Sequence, residues 1–127
     1  MQDRSLYEYA VIRVVPRVER EEFLNLGVVL YCHNKKSLHL KIGLQTEKLR
    51  LFAPQLDLEE LSKHLQAFEK IAKGEFDAGP IGKLPVAERF RWLTATRSTV
   101  VQTSKVHTGY CNQPHLEKER LFELLVG

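Results

Sequence analysis

Two segments of this chain keep the two-residue period of a β-strand and are apolar on both faces, and that combination leaves few folds open. Residues 6–15 read LYEYAVIRVV, with Ala10, Ile12 and Val14 on one face and Tyr7, Tyr9, Val11 and Val15 on the other. Residues 26–33, LGVVLYCH, behave the same way. Apolar residues on both faces mark a central strand rather than an edge. Pro16, which cannot donate to a ladder, ends the first strand. The polar NKKS at residues 34–37 has the length and composition of a hairpin turn. Beyond it Leu38, Leu40 and Ile42 alternate with His39 and Lys41, so a third strand shows one face to solvent.

Helical signals follow. Residues 46–52 form a short helix halted near Pro54. Asp57, with Glu60 three residues later, starts a longer helix, and Gly74 closes it. Leu58, Leu61, Leu65, Phe68 and Ala72 recur along it at helical spacing. Residues 77–84 read as a loop, and Pro85 opens a helix to about Thr94 with Val86, Phe90 and Leu93 on one stripe. Residues 99–106 are β-prone, 107–114 irregular, and 116–126 a final helix. The expected architecture is α+β: a small, mainly antiparallel sheet of about four strands covered by three to four helices, with residues 1–127 as one domain.

Composition narrows the class. The 127 residues are 43% hydrophobic and 28% charged, which suits a packed domain and not a disordered chain. Two cysteines, Cys32 and Cys111, lie far apart, and no apolar run reaches the length of a membrane span. The N-terminus lacks the basic start and apolar run of an export signal. The expectation is a cytoplasmic protein with free thiols, no membrane contact, no cofactor and no metal. Net charge is a mild +3. Residues 34–50 and 81–113 each carry five basic residues against one acidic, so a shared positive face would follow if they met.

Two segments hold the candidate site residues. Residues 17–25 supply Arg17, Arg20, Glu21, Glu22 and Asn25 in a charged loop between core strands, where a general base or a divalent-ion ligand could sit. Consecutive carboxylates point in different directions, so a solvated loop is the simpler account of them. Residues 97–109 supply Arg97, Ser98, Thr99, Gln102, Ser104, His107 and Thr108: a guanidinium, a set of hydroxyls and a histidine suited to oxyanions and proton transfer. An exposed strand of good β-formers accounts for the hydroxyls too. His107, Cys111 and His115 have ligand chemistry for zinc, but Gly109 and Pro114 spoil the helix that would align them. Trp92 lies off the Val86, Phe90, Leu93 stripe, either capping another part of the core or serving as an exposed anchor. No phosphate-binding glycine loop, nucleophile elbow or zinc-protease signature is present.

YAVIRVVPRVEREEFLNLGVVLYC at residues 9–32, RFRWLTATRSTVVQTSKVHTG at residues 89–109, and the closing helix to Leu125 together resemble the bacterial domain-of-unknown-function 3037 family. The resemblance covers nearly the whole chain in order. It implies a small bacterial cytoplasmic protein that partners or regulates a HipA-like kinase, an accessory of a toxin–antitoxin pair. It carries over no catalytic residue. The expected function is a non-enzymatic interaction domain. The alternative is a phosphate-directed protein that binds or cleaves nucleotide or nucleic acid, using Arg20, Glu21, Arg97, Ser98 and His107.

Overall fold

The computed structural model describes residues 4–97 and 99–127. Ser98, one of the candidate site residues, lies outside them. The apolar N-terminal segments form β1 (Ser5–Val14) and β2 (Leu24–Cys32), joined through a 3-10 turn at Val18–Arg20, and β3 (Ser37–Ile42) completes the hairpin. Helices α1 (Thr46–Phe52), α2 (Leu58–Lys73), α3 (Gly79–Gly82) and α4 (Val86–Leu93) follow, then β4 (Val101–Thr103), β5 (His107–Cys111) and α5 (Pro114–Leu125). Every strand pairing is antiparallel, in the order β3-β2-β1, with β4 and β5 both on the far edge of β1. The fold class is therefore α+β, as the sequence indicates.

Two local expectations need correction. Residues 77–84 include a single helical turn, α3, with Pro80 in its first turn. Residues 107–111, read as irregular, are a strand, while the expected strand at 99–106 shrinks to three residues. The edge strand is interrupted where Ser104 takes over the ladder: its Oγ accepts from the Val11 amide (2.9 Å) and its own amide donates to the Val11 carbonyl (2.8 Å). Beyond this bulge β5 pairs with β1 from Tyr9 to Ser5. Gly109 permits that pairing, because a Cβ there would lie 2.6 Å from the Tyr7 hydroxyl.

The sheet is covered unequally. On one face Ala10, Ile12 and Val14 of β1 and Leu26 and Val29 of β2 pack against α1, α2 and α4, with Phe90 and Leu93 fully buried. Helix α2 is placed by its caps. Asp57 accepts from the amides of Glu59 and Glu60 (3.1 Å each), and Gly74 adopts φ 65° in the left-handed region. On the other face α5 lies across β2 and β3, burying Leu121 and Phe122 against Tyr7, Val28 and Leu30. Helix α5 packs mainly on β2 and β3 and meets β1 and β5 at Tyr7 and Cys111.

Candidate functional site

Three of the five basic residues of segment 81–113 are committed within the chain, two of them to helix ends. The Arg89 Nη1 donates to the carbonyls of Ile71 (2.9 Å) and Ala72 (3.0 Å), capping the C-terminus of α2, while its Nε donates to the Leu84 carbonyl (3.0 Å). Arg97 does the same for α4, donating to the carbonyls of Trp92 (2.6 Å) and Leu93 (3.2 Å). Its guanidinium stacks over the rings of Trp92 (4.7 Å) and Phe68 (5.3 Å). Trp92 is thus neither fully core nor a bare anchor: it is 36% exposed, with Arg97 over its ring and Phe68 at its edge. Arg91 pairs with Glu8 through two hydrogen bonds. β3 and β4/β5 occupy opposite edges of the sheet, so the basic strands of the two segments stay apart.

The remaining candidate residues gather in two places. The first is a groove of about 920 Å³ at the end of the sheet, between the 3-10 turn, the α1–α2 connection and the strand entry at 99–101. Arg17, Arg20 and Glu22 line it from one segment, and Thr99 from the other. Phe52, Leu56 and Val100 give it apolar surface, and Asp57, Glu60 and His64 face it from α2. Several of its charges are committed: Arg20 pairs with Glu22 (2.7 Å) and Asp57 caps α2. Thr99 donates to the Val101 carbonyl (2.7 Å) and holds the strand entry. Glu21 does not line the groove; it closes the 3-10 turn at φ 57°.

The second is a row across the sheet on the α5 side. Asn25 of β2 and Gln102 of β4 are both register partners of Arg13 in β1, so all three side chains share one face. Ser104 follows at the bulge, and His107 lies opposite Tyr9, their ring centroids 5.4 Å apart. Thr108 pairs with Glu8 and points to the opposite side. The rival set of Arg20, Glu21, Arg97 and His107 is thus distributed over the groove, the α4 terminus and β5 rather than brought together.

Arg13 was not among the candidates. It stands in an apolar strand, and the signal for it was its being the one charge on the face of β1 that carries Tyr7, Tyr9 and Val11. Its guanidinium lies over the Phe23 ring at 4.0 Å, and burial lowers its proton affinity below the ordinary arginine value.

Elsewhere on this face the Tyr7 hydroxyl donates to Glu117, whose carboxyl Arg120 and Tyr7 hold below its usual range. Burial, followed by that carboxylate, pushes the Tyr7 phenol up. The Cys32 and Cys111 thiols are free, and burial pushes Cys111 up. Among the described residues no three His, Cys, Asp or Glu side chains meet in a set able to hold a metal ion. None of the described helices is long and apolar enough to cross a membrane.

A family described as "Protein of unknown function (DUF3037)" matches residues 9–126. No curated protein and no solved structure matches the chain.

Proposed function

The chain belongs to the DUF3037 family of proteins of unknown function, and we propose that it is a bacterial, cytoplasmic, non-enzymatic interaction domain that seats a segment of a partner protein in the end groove. The observation that carries this reading is the groove itself, where both sequence segments that stand out converge on one concavity of about 920 Å³. That size suits a few side chains of a docked peptide, and its apolar surface with a polar rim is what such a segment needs. Arg17 is the rim cation that no described carboxylate pairs, which leaves it free to donate to a carbonyl or other neutral acceptor of the partner segment. Two of the three groove carboxylates are committed, which supports a binding role over acid–base chemistry: Glu22 is neutralised by Arg20, and Asp57 is held by α2 amides. The HipA-like kinase that the family resemblance suggests is the partner to test first.

The test is calorimetric titration of the chain with the purified HipA-like kinase of its own host. Binding is expected, weakened by about tenfold or more in Arg17→Glu and Val100→Asp, since each removes complementarity at the rim or floor. Absence of binding sinks the kinase as partner. Binding indifferent to both variants sinks the groove.

A phosphate-directed function is the second reading. Asp57, Glu60 and Glu22 beside its arginines count against it in the groove. It is favoured instead by the unpaired guanidinium of Arg13 on the sheet face.

A further inference from the structure

We propose that Arg13, held on Phe23 on the α5 side of the sheet, is an oxyanion-binding site distinct from the end groove. Three arginines of the described chain are half-buried: Arg13, Arg89 and Arg97. Arg89 and Arg97 give their protons to backbone carbonyls at helix ends. Among the described residues Arg13 bonds neither a carbonyl nor a carboxylate, and its Nε is shut away from solvent without a hydrogen-bond partner. No acidic neighbour offsets the effect of its burial. A half-buried cation that is left uncompensated costs stability, and native chains retain such groups where a ligand supplies the missing charge.

The surroundings orient it for that task. The Phe23 ring, itself 46% exposed, supports the guanidinium plane at 4.0 Å and limits its rotamers. The flanking amides turn their donors elsewhere: Asn25 Nδ2 donates to the Leu125 carbonyl (3.2 Å) and Gln102 Nε2 to the Thr99 carbonyl (2.8 Å). Arg13 is left as the cationic donor of the row. Helix α5 packs mainly on β2 and β3, meeting β1 at Tyr7 and ending at Asn25 beside Arg13. A planar guanidinium presenting two parallel donors suits carboxylate or phosphate oxygens. Lys105 and His107 are exposed on the same edge of the sheet and add no negative charge.

The same chemistry can arrive as a free anion or on a nucleic-acid backbone. Three probes separate these sources: sodium phosphate, sodium acetate and a single-stranded oligothymidylate, each titrated into isotope-labelled protein. The readout is the Nε–H signal of Arg13 in the native chain and the backbone amides of Phe23 and Asn25 in every variant, with Arg89, committed to backbone carbonyls, as internal control. A saturable shift of Arg13 and these amides without one of Arg89 is expected, the amide response being lost in Arg13→Gln and about tenfold weaker in Arg13→Lys, which keeps the charge but not the fork. An oligonucleotide that binds more tightly than phosphate, with steep loss on adding salt, assigns the site to backbone phosphates. An oligonucleotide no tighter than phosphate assigns it to a free anion. No saturable response to any probe, or the same response in Arg13→Gln, overturns the site. Should Arg13→Gln fail to fold, Arg13→Lys and Phe23→Leu carry the comparison, both expected to weaken binding.

Discussion

The two faces of this sheet are built to different rules. The face under α2 and α4 is apolar, with Ile12, Val14, Leu26, Val29, Phe90 and Leu93 fully buried. The face under α5 carries all four buried polar atoms that lack a hydrogen-bond partner among the described residues: Arg13 Nε, Asn25 Oδ1, Ser37 Oγ and His39 Nε2. It also carries Lys118, only 8% exposed, whose Nζ sits 3.3 Å from His115 Nδ1 and 3.5 Å from Glu119. One face supplies cohesion. The other accepts polar groups at a cost, and such costs are retained where a surface has work to do.

The largest effect should come from breaking the apolar face. Phe90→Ala removes a ring stacked on Tyr31 (5.4 Å) and should cost about 3–5 kcal/mol in urea unfolding. Phe122→Ala, on a face one helix thick, should cost less; equal losses would mean the two faces do not differ in cohesion.

Gly109→Ala sharpens the contrast at the seam between β1 and β5. The new methyl would meet the Tyr7 hydroxyl at 2.6 Å and its ring at 2.7 Å, displacing the phenol from Glu117. A loss of about 1–3 kcal/mol is expected in the same assay. A neutral outcome would show that Tyr7 is free to move.

The smallest effect is a pH dependence confined to the α5 face. Burial, then Lys118 and His115, lowers the His39 pKa below its ordinary 6.5. The unfolded chain therefore takes up a proton that the folded chain refuses. Stability from this group is intact above pH 6.5 and falls as the pH drops below it toward the depressed folded value. Glu119 and Lys41 also face this cluster, and Glu119 is held in its charged form mainly by Lys41. His39→Phe should flatten the profile between pH 7 and 5 in thermal denaturation; an unchanged slope would assign it to other groups.

Much of the fold was legible in the residues. β1 and β2 show their two apolar faces as a period of two, and α2 announces itself by Asp57 and Gly74. β5 was not legible, because HTGYC pairs only through its fit to β1, with Gly109 yielding space to a tyrosine a hundred residues earlier. The site was half legible. Residues 17–25 and 97–109 do meet, but Arg97 is taken up by the end of α4 and Arg13 takes the place expected of it.

Residue order by itself determined the class, the central strands, the main helix and the family, because hydrophobic period and caps act over a few neighbouring residues. Only the tertiary structure decided which arginines are spent and which remain unpaired. A guanidinium's partner is whatever carbonyl or carboxylate the packed chain brings within about 3 Å, a distance no local pattern encodes.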